Sequence, residues 1–240
     1  MSRIFDRTKI LINEEGLEKL RNKKVAVFGV GGVGGFALEA LCRAGIENLV
    51  IIDFDTVDVT NINRQIIALH STIGKSKVEV FKNRLLDINP NLNLEIHNVF
   101  FDETLVDELI RTDYDYIVDA IDSVKSKIAL IKNSIKKDIK IISSMGMGNK
   151  LNPEKIEITD IYKTKNCPLA RVIRKEMKVS RIKKLKVVYS TELPIEVDKD
   201  KVRELNGGKL SPGSISFVPS VGGLMMASYV VRDLLKEQQN

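Results

Sequence analysis

The sequence predicts an α/β fold with a Rossmann-like, doubly wound and largely parallel sheet. Through residue 150, short apolar runs alternate with segments of helical periodicity. The first apolar run ends in a glycine-rich turn, and the next one ends in an acidic residue. Strands that alternate with helices build parallel sheets covered on both faces, and a glycine-rich first turn is typical of the doubly wound class.

The predicted elements follow one another regularly in this first part of the chain. Strands are expected at residues 24–30, 48–52, 94–99, 116–119 and 140–143. Helices are expected at residues 34–44, 75–88, 103–111 and 125–137.

A change of pattern follows the turn cluster at 149–153. Beyond it we expect a basic helix, a strand at 185–189 and an apolar terminal helix that begins near Pro219. We interpret these elements as a C-terminal extension packed on the same domain. The prediction is therefore a single domain, 1–240, with a core at 1–150 and a basic and apolar extension at 151–240.

The composition narrows the class of protein. With 240 residues, of which 43% are hydrophobic, the chain can bury a substantial core and is too apolar to be disordered. The cysteines, Cys42 and Cys167, lie far apart and supply neither a disulfide framework nor a paired zinc-ligand motif. The charged N-terminus lacks the apolar stretch of a secretory signal. We therefore expect a cytoplasmic protein without zinc.

One apolar stretch, Ile215–Val231, has no charged residue and reaches the lower limit of a membrane span. It contains Pro219, Gly222 and Gly223, which favour a buried terminal helix over a helix in lipid. The sequence therefore predicts no stable membrane insertion, and it leaves peripheral membrane association open.

The net charge of +6 comes from the last third of the chain. Its basic residues concentrate in residues 162–190, where ten lysines and arginines stand against the single acidic residue Glu176. An apolar stripe on the predicted helix of this segment consists of Leu169, Ile173 and Met177. Four basic residues recur beside it at helical spacing: Arg171, Arg174, Lys175 and Lys178. Such a face can bind nucleic-acid phosphates, and it can equally be an ordinary solvated face.

The glycine-rich turn predicts a nucleotide site. Glycines between a strand and a helix let phosphate approach backbone N–H groups at the helix N-terminus. Asp53 ends the next strand, where a carboxylate can accept hydrogen bonds from ribose hydroxyls. Alone, these features would favour a nicotinamide-dependent dehydrogenase. The glycines of the turn are Gly29, Gly31, Gly32 and Gly34.

Polar and charged residues continue along the same predicted edge of the sheet. Basic side chains beside a phosphate chain neutralise charge that grows as pyrophosphate leaves, and a carboxylate can hold Mg²⁺. Hydride transfer requires neither, whereas adenylyl transfer requires both. A nucleotide-sensing or RNA-binding module without catalysis stays a further alternative. The candidate residues are Asp55, Asn61, Arg64, Gln65, Lys77, Asp122 and Ser123.

Four motifs in this order give the chain a resemblance. They are GxGGxG at 29–34, DxDxV at 53–57 followed by NxxRQ at 61–65, GxxK at 74–77 and VDAID at 118–122. Together they resemble the ubiquitin-activating-enzyme superfamily, which includes the adenylyltransferases of thiamine and molybdopterin synthesis.

The resemblance implies roles for individual residues. Asp53 and Lys77 match residues that contact the nucleotide, and Asn61 and Arg64 match residues that contact its phosphates. Asp122 matches a magnesium ligand. Arg7 matches a residue that reaches across a homodimer interface into the partner's site. The implied catalytic set is Arg64, Lys77, Asp122 and Arg7.

One branch of the superfamily, the tRNA threonylcarbamoyladenosine dehydratases, is more similar over nearly the whole chain. The supporting segments are 5–20, 60–80, 143–153, 168–176 and 212–223. The sulfur-carrier branch usually has paired CxxC zinc ligands, which this chain cannot supply. An aspartate is expected where Cys167 stands, so the role of Cys167 stays open.

This branch implies a specific reaction. The threonyl carboxylate of the modified adenosine attacks the α-phosphate of ATP, and the resulting acyl-adenylate cyclises with loss of AMP. ATP, Mg²⁺, tRNA and a homodimer are implied, a monovalent cation is a further candidate cofactor, and the basic face would contact the tRNA. The alternative is an adenylyltransferase that activates a ubiquitin-like sulfur carrier, with a ubiquitin-like or sulfur-mobilising protein as partner.

Overall fold

A computed structural model of the chain describes residues 3–205, 207–208 and 210–236. The strands are β1 (Lys24–Phe28), β2 (Asn48–Ile52), β3 (Asn93–His97), β4 (Tyr116–Asp119), β5 (Ile141–Ser144), β6 (Ile156–Asp160) and β7 (Lys186–Ser190). The helices are α1 (Asp6–Arg21), α2 (Gly34–Ala44), α3 (Lys77–Ile88), α4 (Val106–Leu109), α5 (Val124–Lys136), α6 (Pro168–Val179), α7 (Lys199–Leu205) and α8 (Phe217–Lys236).

The strands form a seven-stranded sheet in the order β3-β2-β1-β4-β5-β7-β6. Neighbouring strands are parallel except β6, which runs antiparallel to β7. The predicted doubly wound, largely parallel α/β class is confirmed. Chain direction across the sheet changes between β1 and β4, and such a switch point opens a crevice at the carboxyl ends of the strands.

The central strands β1, β4 and β5 are buried along nearly their whole length and mostly apolar, because both faces of the sheet are covered. In β1, Val25 and Val27 face the core that includes residues of α2, α3 and α8. Ala26 and Phe28 face the opposite core, which includes residues of α5 and α6. The alternation of side chains along a strand thus divides one apolar run between two cores.

The C-terminal extension adds β6 and β7 to the same sheet and packs α8 against α2. A Cβ at Gly223 would overlap the Val33 carbonyl oxygen, and one at Gly222 would lie 3.0 Å from Met147 Cε. These glycines therefore allow close helix packing, and the predicted buried terminal helix is confirmed, beginning at Phe217. None of the described helices is long and apolar enough to cross a membrane.

Several elements differ from the prediction. Helices α1 and α7 and strand β6 were not predicted. Helix α1 breaks at Asn13, whose φ of 63° interrupts the helical periodicity. The helix predicted at 103–111 is a 3-10 turn followed by the four-residue α4, because Asp102 caps the turn through the Thr104 N–H. Residues 206 and 209 and both chain ends lie outside the described residues.

Candidate active site

The glycine turn lies between β1 and α2, at the switch point of the sheet. Gly29 has a φ of 82°, a conformation that favours glycine. A Cβ at Gly34 would overlap the Gly29 carbonyl oxygen. At Gly31, in contrast, the nearest atom to an added Cβ is Gln65 Nε2 at 3.7 Å. The turn is therefore tightly packed below and open at Gly31, where a phosphate can approach the backbone.

Asp53 holds this turn from the end of β2. Its Oδ2 accepts a hydrogen bond from the Val30 N–H at 2.7 Å, and its Oδ1 accepts one from the Asp55 N–H at 2.8 Å. Burial raises the pKa of Asp53, while these two N–H groups and Lys77 oppose the shift. A carboxylate has further acceptor capacity, so Asp53 can hold the turn and bind a ribose hydroxyl together.

Lys77 and Asp55 come together although 22 positions separate them in sequence. Lys77 is the first residue of α3 and is only 4% exposed, and its Nζ lies 2.8 Å from Asp55 Oδ2. The connecting loop is closed by backbone hydrogen bonds from Val57 to Lys75 and from Gly74 to Val57. Those bonds are also the reason that α3 begins at Lys77 and not at the predicted residue 75.

The loop after β2 brings Asn61, Arg64 and Gln65 beside the glycine turn. A Cβ at Gly32 would lie 3.4 Å from the Arg64 carbonyl oxygen. Arg64 Nη1 donates to the Thr60 carbonyl at 2.7 Å, and Asn61 is 8% exposed. The buried Gln65 Oε1 has no hydrogen-bond partner, which costs free energy unless a ligand supplies a donor. Gln65 Oε1 is thus an acceptor beside the glycine turn that is available to a hydrogen-bond donor.

Asp122 and Ser123 follow β4 on the other side of the switch point. The Asp122 side chain is exposed, and Ser123 is the N-cap residue of α5. The two residues lie just beyond Ala120, whose carbonyl oxygen would be 2.8 Å from a Cβ at Gly29. This places the backbone that carries the exposed Asp122 carboxylate next to the glycine turn.

The donor set fits magnesium better than zinc. Mg²⁺ is commonly held by one or two carboxylates together with substrate phosphates, and Asp122 supplies one carboxylate. Across the described part of the chain, no group of three or more His, Cys, Asp or Glu side chains could hold a metal ion. The expectation that the protein uses no zinc stays a prediction.

Arg7 lies away from these residues within its own chain. Phe5, at the start of α1, is near Gly45, where an added Cβ would lie 3.9 Å from the Phe5 ring. Gly34 and Gly45 mark opposite ends of α2, about 16 Å apart at the rise of an α-helix. Arg7 is exposed on α1, beside the exposed side chains of Ile10 and Leu11. Arg7 therefore lies on the part of the fold near the far end of α2, away from the glycine turn.

The predicted basic face lies on α6, with one departure. Arg171, Lys175 and Lys178 are exposed, and Ile173 and Met177 are completely buried beneath them. Arg174 is half-buried instead, because its Nη1 donates to the Thr164 carbonyl at 2.8 Å and to Thr164 Oγ1. The free basic face therefore consists of Arg171, Lys175 and Lys178.

Sequence reasoning missed a buried ion pair below Asp122. Lys127 Nζ lies 2.8 Å from Asp119 Oδ2, and both side chains are completely buried. Ser143 Oγ donates to the same Asp119 oxygen at 2.6 Å. The available signal was the position of Lys127 in α5, three and four residues before the buried Leu130 and Ile131 on one helix face.

Cys167 is the N-cap residue of α6. It is 7% exposed, and its Sγ accepts a long hydrogen bond from the Ala170 N–H at 3.5 Å. Pro168 occupies the first helical position, as is usual after an N-cap. The buried Lys150 is close enough for Cys167 to influence its pKa, which burial lowers. A helix cap explains the expectation of aspartate here, because aspartate caps helices far better than a thiol does.

We predict that Cys167→Asp stabilises the protein by about 1 kcal/mol, a typical N-cap contribution. The melting temperature should rise by roughly 2–4 °C for a chain of this size. The new carboxylate would accept the Ala170 N–H at normal length and attract the Lys150 ammonium. Thermal unfolding followed by circular dichroism measures the change, with Cys167→Ala as the control that removes the cap. A lower melting temperature for the aspartate variant than for the alanine variant would contradict the cap role.

The chain is similar to known proteins over nearly its whole length. A model of the ThiF family matches residues 5–240 of this chain. The chain belongs to the ThiF family. It is 44% identical to the tRNA threonylcarbamoyladenosine dehydratase of Bacillus subtilis, over 97% of this chain and 95% of the relative. The dehydratase of Haemophilus influenzae is 34% identical over 95% of this chain and 92% of that protein.

Solved structures extend the likeness to three dimensions. The E. coli tRNA N6-threonylcarbamoyladenosine dehydratase in complex with AMP is similar with a TM-score of 0.90 at 31% identity, over 99% of this chain and 96% of that one. The ATP complex of the same protein gives a TM-score of 0.89. Because the coverage is nearly complete, the ThiF-family architecture includes the C-terminal extension with α6 and α8. Membership in this family decides against the nicotinamide-dependent dehydrogenase.

Proposed function

We propose that this chain is an ATP-dependent dehydratase that cyclises threonylcarbamoyladenosine in tRNA. The observation that carries the proposal is the end-to-end similarity to the Bacillus subtilis dehydratase, 44% identical over 97% of this chain. The nucleotide-binding features described above support it, since adenylation requires ATP at the glycine turn. The E. coli structures with AMP and with ATP are of a protein with the same fold.

In the proposed site, the ATP phosphates lie over Gly31 at the N-terminus of α2, where backbone N–H groups and the helix dipole favour negative charge. Asp53 binds the ribose hydroxyls. Lys77 binds the nucleotide through ammonium protons that its bond to Asp55 leaves available. Gly29, Gly32 and Gly34 give the turn its shape, and Ser123 begins the helix that follows Asp122.

Charge stabilisation falls to the loop after β2 and the loop after β4. Arg64, with Asn61 and Gln65 beside it, binds the β- and γ-phosphates and stabilises the negative charge of the departing pyrophosphate. Asp122 would hold Mg²⁺ together with phosphate oxygens, and this ion would neutralise part of the same charge. The chain thus offers groups on both sides of the switch point to one phosphate chain.

The substrate carboxylate then needs no nucleophile from the protein. One of its oxygens attacks the α-phosphorus, and the bond to pyrophosphate breaks. An internal atom of the threonylcarbamoyl group attacks the activated carbonyl, and AMP leaves with the former carboxylate oxygen. The net change is the loss of one water molecule from the nucleoside, and ATP becomes AMP and pyrophosphate.

A homodimer in the cytoplasm completes the proposal. The exposed fractions of Ile10 and Leu11 on α1 are 79% and 83%. Burial of both side chains against a second copy would remove apolar surface from water, which favours association. A second copy bound there would cover them, and Arg7 on the same helix would then reach the partner's site. Two unpaired, buried cysteines suit a reducing compartment.

The decisive experiment incubates the purified protein with ATP, Mg²⁺ and tRNA that carries the linear threonylcarbamoyladenosine. Mass spectrometry of the digested nucleosides should show a product lighter by one water molecule, formed in step with AMP. Omission of ATP is the control. An unchanged nucleoside mass in the complete reaction would overturn the proposal.

The alternative substrate is the C-terminus of a ubiquitin-like sulfur carrier. The molybdopterin-synthase adenylyltransferase of Haemophilus influenzae matches over 55% of this chain, at 34% identity. Both reactions begin with adenylation of a carboxylate by ATP, so ATP binding does not separate the two functions. A carrier-dependent exchange of pyrophosphate into ATP, without any change in tRNA, would favour the carrier. A ubiquitin-like or sulfur-mobilising partner and a monovalent cation stay predictions.

We predict that Lys175→Ala combined with Lys178→Ala weakens tRNA binding and flattens its salt dependence. Each phosphate contact contributes about one unit to the slope of log K against log salt, so the double variant should lose roughly two units. Binding titrations at four salt concentrations measure the slope. Lys136→Ala combined with Lys125→Ala, which removes two exposed lysines from α5, is the charge-matched control. An unchanged slope in the α6 variant would make this an ordinary solvated helix face.

A further inference from the structure

The buried contact between Asp119 and Lys127 lies directly under the segment that carries Asp122. Asp119 is the last residue of β4 and is completely buried, as is Lys127 of α5. Removing two charges from water costs free energy, and a hydrophobic pair of the same volume often gives a protein of equal or greater stability. Stability alone therefore gives a weak reason for an ion pair at this position.

The hydrogen bonds of Asp119 show what the ion pair does locally. Asp119 Oδ2 accepts from Lys127 Nζ at 2.8 Å and from Ser143 Oγ at 2.6 Å. The other oxygen, Oδ1, accepts from the Ile121 N–H at 3.1 Å. Because two donors hold Oδ2, rotation of the carboxylate away from Ile121 would break both of those hydrogen bonds. The turn that leads to Asp122 is thus fixed from below.

The same turn is fixed from the side by the glycine loop. The Ala120 N–H donates to the Phe28 carbonyl at 2.8 Å, and Ala120 Cβ would lie 3.0 Å from a Cβ at Gly34. Asp122 itself is exposed, so its position depends on the backbone that carries it. Lys127 acts on that backbone through Asp119 without reaching the reaction centre.

We propose that Lys127 is a positioning residue for adenylation: through Asp119 it fixes the Ala120–Asp122 turn and so holds the Asp122 carboxylate in place for the magnesium–nucleotide complex. This inference rests on the role proposed above for Asp122. Partners that orient a metal ligand from outside its coordination sphere typically change metal affinity about 10-fold to 100-fold when they are removed. Loss of Lys127 should therefore lower the affinity for Mg²⁺ and loosen the Ala120–Asp122 turn, while the affinity for the nucleotide without metal stays nearly unchanged.

The first test is hydrogen exchange of the full-length Lys127→Met protein. Exchange at the Ile121 amide should accelerate about 10-fold, as the loss of a typical hydrogen bond to a charged group predicts. Peptides from β1 should accelerate less than the Ile121 amide, since the unpaired Asp119 carboxylate also lowers the global stability. Lys150→Met, which also replaces a buried lysine at this edge of the sheet, is the matched control and should leave the Ile121 amide unchanged. Uniformly faster exchange throughout the protein would reduce the pair to a structural role and overturn the proposal.

The second test measures the binding of a non-hydrolysable ATP analogue with and without Mg²⁺. Lys127→Met should weaken the apparent Mg²⁺ affinity at least about 10-fold, while the affinity for the analogue without metal should change less than about 3-fold. Equal Mg²⁺ dependence in the variant and the wild-type protein would contradict the proposal. If Lys127→Met does not fold, Ser143→Ala removes one of the two donors that hold Oδ2 and should change both readouts in the same direction by a smaller factor.

Both tests are independent of tRNA. A wild-type protein that binds the analogue more tightly with Mg²⁺ but leaves tRNA unchanged would refute the proposed function and not the positioning role. A wild-type protein whose analogue binding ignores Mg²⁺ would refute the metal role of Asp122 and, with it, this inference.

Discussion

Arg64→Ala is expected to lower the rate of AMP formation by ~100-fold or more, as the loss of one charge-stabilising donor typically does. The affinity for ATP should stay within a few-fold of the wild-type value, because Arg64 interacts most strongly with the charge that develops as pyrophosphate departs. Its guanidinium has five donors, and the bonds of Nη1 to Thr60 and Asn63 leave others for phosphate. The turnover defect should therefore appear mainly in kcat.

Single-turnover assays and equilibrium binding of ATP measure the two quantities separately. Arg232→Ala is a matched control, since Arg232 also donates to the carbonyl four residues earlier, that of Ser228, but lies on α8. The control should retain wild-type turnover. Wild-type turnover in Arg64→Ala would remove Arg64 from the site, and a proportional loss of ATP affinity would reassign it to simple binding.

The fold could be predicted from the sequence where local patterns decide the structure. The runs that form β1, β2 and β4 are apolar except for one terminal residue each, and the glycine turn marks the first strand-to-helix junction. Each of these signals extends over fewer than ten neighbouring residues. Helix α1 escaped prediction because its periodicity breaks at Asn13, and β6 because an edge strand has no uniform apolar run.

The candidate site was predictable where motifs carry it and not where tertiary contacts do. Asp53, Lys77 and Asp122 follow from order along the chain and the geometry of a parallel sheet. The contact of Lys77 with Asp55 and the orphaned oxygen of Gln65 depend on how the loop after β2 folds back. No sequence spacing encodes that path.

The prediction of the basic face was wrong at one residue, because a tertiary contact decides where that side chain lies. Helical spacing put Arg174 on the basic face of α6, but the guanidinium bonds to Thr164, which lies ten positions earlier and outside the helix. Conversely, the sequence places Lys127 on the apolar face of α5 without a partner, and the structure shows that it pairs with the buried Asp119. A lysine on a buried face is thus a signal to search for a carboxylate, and that search needs the fold.

Gly34→Ala is expected to destabilise the protein by about 3 kcal/mol or more, at the upper end of the cost of overpacking. The added Cβ would overlap the Gly29 carbonyl oxygen, and it would also lie 3.0 Å from Ala120 Cβ. The backbone must move, because neither contact involves a flexible side-chain end. The melting temperature should fall by roughly 6–12 °C for a chain of this size, and ATP binding should be lost with the shape of the turn.

Gly31→Ala makes the matched comparison inside the same turn. An alanine Cβ there meets open space, with Gln65 Nε2 the nearest atom at 3.7 Å, so the melting temperature should stay close to that of the wild-type protein. ATP affinity should nevertheless fall, because the methyl group would occupy the space proposed for phosphate. Calorimetric titration with ATP and thermal unfolding of both variants separate the two effects. Normal ATP binding by Gly31→Ala would contradict the proposal that phosphate lies over Gly31. The fold itself leaves room for a Cβ there, so a bound phosphate is the reason to expect glycine at this position.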